Sequence, residues 1–449
     1  MALMVHLPRS PRWLAVALVL AASQAAAHGG APQVKHIRFP DAAGGAAWLM
    51  DELGLLARTE DGFTWLCDDS VSPVVGFEIV APLDADRWVL STRAGIFLTE
   101  TAGCGYTQVP GPLTEHVTAS LLPHPGRPLE FLTSTATLGI LNDVYRSVDG
   151  GQTWTPAGLE STTRVRSLVR SEADPEVVFA SHGAGASRSD DGGASFQPIA
   201  LGPPAEDLPG EMPIRPEEFR FLATHPVDPG TAFAVVERFP ASFLVRTDDG
   251  GQTWRVALAI EDSPDSLAFT RDGQRALMST PFLGLQRSVD GGGTWEPVAT
   301  DGIVGCLTRE PATDRIWACG RGRPMQWVAA HTDDLGGTWD VALAQYADLV
   351  GTWTCPADST TARACRQQCP PADPACVPPD AGVPGDASIV DGGVEPVDGA
   401  ARDAGTEADA GPTPAGSTGG DDGCRATPGG APALPWLLLL LIFRRRRAL

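Results

Sequence analysis

The side chains with most chemistry to offer are the cysteines, the acid-rich runs and three tyrosines. Nine cysteines occur, and Cys355, Cys365, Cys369 and Cys376 crowd into one short Pro/Asp/Ala-rich stretch. Cys365-x3-Cys369 has passable zinc-ligand spacing. No histidine lies close by, and disulfides are the stronger reading. Asp-Asp-Gly-Gly runs at 190–193 and 248–251 lack the alternating oxygen ligands of a calcium loop. Only Tyr106, Tyr145 and Tyr346 could supply a phenolic nucleophile. The sequence contains no Gly-rich phosphate loop, no Gly-x-Ser-x-Gly elbow and no His-Glu-x-x-His pair. His124 and His225 each precede a proline, which suits a turn. No cofactor and no metal are expected.

The most regular feature is a recurring aspartate. Ser147-Val148-Asp149-Gly150-Gly151-Gln152-Thr153-Trp154 returns at 189–196, 247–254, 288–295 and 332–339. A copy one residue short spans 59–65, and a decayed copy spans 99–106 with Thr101 in place of the acid. Equivalent positions 61, 101, 149, 191, 249, 290 and 334 lie 40, 48, 42, 58, 41 and 44 residues apart. In a tight turn, Asp61, Asp149, Asp191, Asp249, Asp290 and Asp334 can accept backbone N–H bonds, while the glycines allow positive φ. The aromatics Trp65, Trp154, Phe196, Trp254, Trp295 and Trp339 can pack under the hairpin. This predicts a structural role for the motif.

Four short strands surround each turn, as at 165–168, 177–180, 185–189 and 195–199. Units of this length with four strands match propeller blades. The expected fold is all-β, a seven-bladed β-propeller over 28–350. A six-bladed ring with one degenerate hairpin is the alternative.

Ser/Thr-x-Asp-x-Gly-x-Thr-Trp resembles the Asp-box, or BNR, repeat of sialidases, the sortilin family and photosystem II assembly factors. The resemblance spans roughly 35–350. A sialidase would need three arginines, a Tyr nucleophile assisted by Glu, and an Asp acid/base. Tyr106 fills the aromatic slot of the decayed copy, Tyr145 precedes a copy and Tyr346 follows the last. Arg38-Phe39-Pro40 only faintly echoes the Arg-Ile-Pro motif of sialidases, and choosing Arg38, Arg238 and Arg321 from so many arginines is unspecific. No catalytic residue is assigned.

Binding is the remaining expectation, through loops joining second to third strands and blade to blade. Candidates are Arg93, His182, Arg238, Phe239, Phe282, Arg321, Arg323 and, in the 201–218 insertion, Glu211. The expected ligand is an extracellular protein or glycan, recognised without catalysis by a monomer. The alternatives are a sialidase-like glycoside hydrolase and an assembly factor for exported proteins.

Composition and the chain ends frame this reading. Of 449 residues, 50 are Gly and 40 Pro, which suits many turns, and the formal net charge of −22 disfavours nucleic acid and anionic lipid. Residues 1–27 read as a secretory signal, with Arg9 and Arg12 before an apolar stretch and small residues ending at Ala27. Residues 351–377 form a Cys-rich segment. Residues 378–423 are an acidic Ala/Asp/Gly/Pro stalk, too polar to bury a core. Residues 424–449 run from Cys424 through a short apolar segment to four arginines, and resemble the MYXO-CTERM sorting signal of myxobacterial surface proteins. A plain C-terminal anchor is the alternative. The resemblance implies a myxosortase-type protease as partner, processing near Cys424, and envelope attachment through the C-terminus. The expected location is the cell surface of a myxobacterium-like bacterium, where cysteines oxidise. Cys306 and Cys319 suit a hairpin disulfide, and Cys67 and Cys104 a bridge between adjacent blades.

Overall fold

A computed structural model describes residues 33–40, 47–51, 53–71, 79–204, 207–208, 213–300, 303–321 and 327–366. The signal segment with Ala27, the stalk, the C-terminal tail with Cys424, and Glu211, Arg323, Cys369 and Cys376 all lie outside the described residues.

Seven sheets form in chain order, each a meander whose first strand is followed by its second, third and fourth. They span 36–67, 79–108, 122–156, 167–199, 219–260, 266–298 and 303–343, and are numbered here as blades 1 to 7. The protein is a seven-bladed β-propeller, and the six-bladed alternative falls away. The decayed copy at 99–106 still joins two strands of a full blade, Gly95–Thr99 and Thr107–Gln108.

Central strands read as continuous apolar runs because both of their faces are covered by neighbouring blades. Ala232–Glu237, for example, is Ala-Phe-Ala-Val-Val-Glu with its first five residues fully buried. Its alternating side chains feed two different inter-blade cores, with Ala234 and Val236 facing blade 4 and Phe233 and Val235 facing blade 6.

Blades 1 and 7 each complete their four strands from local sequence, so the ring closes by packing and not by a shared strand. Ile37, Leu49 and Trp65 of blade 1 bury against Trp317, Val328 and Leu343 of blade 7. The segment after blade 7 then crosses onto blade 1, where Gly351–Thr352 pairs in parallel with Phe63–Cys67 as a fifth strand.

Cysteine pairing corrects an expectation. Cys67 is bonded to Cys365 and Cys104 to Cys355, so blades 1 and 2 are each tied to the segment after blade 7 and not to each other. The sequence placed a self-contained Cys-rich segment at 351–377. Its described part is instead laid on the propeller. Trp353 donates its backbone N–H to Trp65 and its indole N–H to Ala102, at 2.7 and 2.8 Å. Cys306 and Cys319 pair within blade 7.

Candidate functional site

The ring has two ends, because strands alternate direction. The aspartate turns, which join third to fourth strands, occupy one end. In blade 4, Ser189 Oγ donates to Asp191 Oδ1 (2.7 Å) and accepts from Gly193 N–H (2.8 Å), and the Ser195 hydroxyl donates to Asp191 Oδ2 (2.6 Å). The same three bonds recur around Asp149, Asp249, Asp290 and Asp334. Burial pushes Asp191 upward, but the bonds from Ser195 and Ser189 outweigh it and hold the carboxyl at about 2. The Thr253 hydroxyl and N–H hold Asp249 at about 2, and Thr294 N–H leads the bonds that do so for Asp290. These carboxylates are saturated by their own turns.

Each of these turns also braces the preceding blade. The second glycine has φ of +90° at Gly193 and +93° at Gly251, and a Cβ there would stand 2.5 Å from Leu132 or Ile199 of the blade before. Trp254 donates its indole N–H to Ala200 at the close of blade 4, at 3.1 Å. Trp154 and Trp254 are buried, and Phe196, Trp295 and Trp339 are partly buried against inter-blade cores. In the shortened first copy, Thr59 closes the turn onto Gly62 O and Asp61 is exposed, while Trp65 is buried and bonds Leu53 O. In the decayed copy, Thr99 Oγ1 still accepts from Gly103 N–H.

The opposite end carries the hairpins between second and third strands, and here three blades present large apolar side chains to solvent. Phe239 is 100% exposed in blade 5, Leu138 94% in blade 3 and Phe282 86% in blade 6. Two of these tips are fixed by polar anchors. Buried Asn142 accepts from Thr137 N–H at 2.6 Å and donates to Thr137 O and Ile140 O, which pins the blade 3 loop. Asp262 accepts from the N–H groups of Phe282 and Leu283 at 2.7 and 2.8 Å. A recess of about 420 Å³ lies beside Phe239, bounded by Arg215, Glu218, Glu237, Arg238 and Phe243.

Charged groups around these tips are mutually engaged. Arg238 is mostly buried and bonds Glu218 at 3.2 Å, and Glu218 also holds Arg215 at 2.7 Å. Glu237 accepts from Arg166, Arg220 and Ser263, and Arg321 is paired with Asp265. Of the other candidates, Arg93 is exposed on the blade 2 hairpin. His182 is buried, its Nε2 2.9 Å from Ser187 Oγ, and burial lowers its pKa. Its surroundings are those of a packed structural residue. Phe239, Phe282, Arg238, Arg321, Arg93 and His182 therefore share one end, where the two phenylalanines and Arg93 are exposed, Arg321 is partly exposed in its pair with Asp265, and Arg238 and His182 are largely buried. Sequence reasoning missed Leu138, whose signal was an apolar Leu-Gly-Ile-Leu run inside a turn.

None of the tyrosines is placed as a nucleophile. Tyr106 packs against Trp48 and Trp88, with burial pushing its hydroxyl upward. Tyr145 lies against Phe131 and Trp154, and Tyr346 against the core between blades 7 and 1. Among the described residues, the carboxyl raised furthest is Asp51, pushed by burial to about 6, and it is only 2% exposed.

No family profile matches the chain, and no curated protein is similar to it in sequence. Solved structures are similar in fold. An ancestral GH74 enzyme superposes with a TM-score of 0.54 at 16% identity, over 70% of this chain and 47% of that one. The GH74 xyloglucanase of Xanthomonas campestris gives 0.51 at 17% identity, over 71% and 55%. This chain spans about half the length of these two enzymes. At such identity the likeness is one of fold.

Proposed function

We propose that this protein is a non-enzymatic binding module that recognises an extracellular protein or glycan through the end of the ring bearing Leu138, Phe239 and Phe282. The observation that carries the reading is three largely solvent-exposed apolar tips on three hairpins of one end. Two of those hairpins are anchored by buried or bonded polar groups. Solvated aromatics on fixed loops are what a binding surface needs, because little side-chain freedom is lost on contact. The test is an array of immobilised glycans and surface proteins, with wild type compared against Leu138→Ser, Phe239→Ser and Phe282→Ser combined. Retention that falls about tenfold or more in the variant supports the reading. Equal retention by both refutes it.

Supporting context comes from the chain as a whole. Three disulfides accord with an oxidising, extracytoplasmic location, and the signal-like start and sorting-like end accord with display at an envelope. Five repeated Ser/Thr–Asp–Gly–Thr/Ser networks support the Asp-box reading. A glycoside hydrolase is the second reading, favoured by the fold likeness to GH74 enzymes. It needs two carboxyls of opposed protonation facing a cleft. The engaged states of Glu218, Glu237 and Asp265, and the burial of Asp51, weigh against it.

A further inference from the structure

The turn of blade 2, at 99–106, has lost its aspartate but not its support. Thr101 stands where the five full copies carry the acid, so the carboxylate that saturates those turns is missing. Ala102 and Gly103 keep the left-handed backbone of the glycine pair, with φ of +47° and +81° against +77° and +86° at Gly150 and Gly151, a conformation that is costly for a residue with a Cβ. The support comes from the segment after blade 7. In blade 3 the motif's own Trp154 donates its indole N–H to Gly151 O at 2.9 Å. The equivalent carbonyl in blade 2, Gly103 O, accepts from the Thr361 hydroxyl at 2.7 Å, and Ala102 O accepts from Trp353 at 2.8 Å. Cys104, at the position of Gln152, is bonded to Cys355. The turn is a seat for residues 353–361.

Two disulfides hold this segment, and they differ in access. Cys67 is fully buried in the core between blades 7 and 1, and Cys365 packs against that core and against the one between blades 1 and 2. Cys104 and Cys355 are both partly exposed. A thiolate must reach a disulfide sulfur to exchange with it, so reactivity follows access. Beneath the segment, Trp353 meets Trp88 edge-on at 5.8 Å, and Trp88 meets Trp48 at 4.8 Å. Lifting the segment would uncover an aromatic face of blades 1 and 2 that is now buried.

We propose that Cys104–Cys355 is a thiol-operated latch, which an external dithiol opens to lift residues 353–361 off the blade 2 turn while Cys67–Cys365 stays closed. One thiolate of the dithiol attacks a sulfur of the bond, and the other cysteine leaves as a thiolate and takes a proton. The second thiol of the dithiol then displaces the first cysteine and closes its own disulfide. The latch is reduced to two thiols and the dithiol is oxidised. Cys67–Cys365 keeps the segment tethered and the ring closed. The seat lies at the opposite end of the ring from Leu138, Phe239 and Phe282, so the latch holds or fails independently of the binding surface.

Graded dithiothreitol on the full chain under native conditions, followed by thiol alkylation and peptide mapping, tests it. Trypsin cleavage after Arg363, an exposed residue in the short helix Thr360–Cys365, reports release of the segment. Cys104 and Cys355 should be half alkylated at a dithiothreitol concentration about tenfold or more below that needed for Cys67 and Cys365, and cleavage at Arg363 should rise with them. Cys104→Ser combined with Cys355→Ser should be cleaved as fast without dithiothreitol, with no further rise over the same range. Should that variant fail to fold, the order of alkylation in the wild type still decides. Simultaneous alkylation of all four cysteines, alkylation of Cys67 and Cys365 first, or reduction of Cys104–Cys355 without faster cleavage overturns the proposal.

Discussion

Asp191, Asp249 and Asp290 are solvent-facing, yet each is held at about 2 by two hydroxyls and by backbone N–H groups. A carboxyl whose folded pKa lies below its unfolded value stabilises the fold above the unfolded value, and that contribution disappears as pH falls through the folded one. With an ordinary value of 3.8, the window runs from about 4 down to about 2, and the urea midpoint should fall across it. Asp249→Ala should cost about 1–2 kcal/mol at pH 7, the usual worth of a lost cap or charged hydrogen bond, and should flatten that acid dependence. Asp61→Ala should leave the midpoint nearly unchanged, since Asp61 is exposed and its turn is closed by Thr59. At this scale the sequence was readable where the bonds are local, because donor and acceptor lie within four residues. The pairing of Arg309 with Glu172 was not readable, because the two lie 137 residues apart on different blades.

The hairpin is the element that counts the blades, and its spacing could be read because every blade repeats the same turn. What spacing did not convey is that the second glycine is also a contact between blades. Gly193→Ala would combine a left-handed backbone with a Cβ 2.5 Å from Leu132. Gly158→Ala, at φ +79° with open space around it, bears the backbone strain alone, about 1 kcal/mol. Thermal unfolding should therefore show Gly193→Ala as the more damaging by about 1–2 kcal/mol. An equal loss in both would mean the contact with the preceding blade is slack. The strand Gly351–Thr352 was invisible from sequence for a different reason: two residues carry no alternation, and the Cys/Pro composition around them suggested an independent module. Only its parallel pairing with Phe63–Cys67 shows it to be part of blade 1.

For the whole molecule, the segment after blade 7 acts as a strap over the closure of the ring. Cys67–Cys365 and Cys104–Cys355 span 298 and 251 residues, and in the chain-entropy account a loop of that length is worth on the order of 5 kcal/mol for the first bridge closed. Replacing both Cys104 and Cys355 by serine should lower the urea midpoint by more than loss of the local Cys306–Cys319 bridge, which spans only 13 residues. The reverse order would place the closure elsewhere. Class and blade number followed from the repeat, whereas the pairing of cysteines did not, because spacing along the chain says nothing of which ends of a closed ring meet. Function is the least legible level, because a fold shared with enzymes at 16–17% identity does not carry their chemistry with it. Here Glu218, Glu237 and Asp265 are engaged with arginines, and the most exposed large side chains are apolar. Release of reducing sugar or fluorophore by the full chain, with disulfides formed, from xyloglucan and a panel of sialosides and simple glycosides tests this most directly. No release above a heat-inactivated control is predicted. Turnover that a single Tyr→Phe or carboxylate→amide substitution at the loop end abolishes would contradict the account and identify the catalytic group.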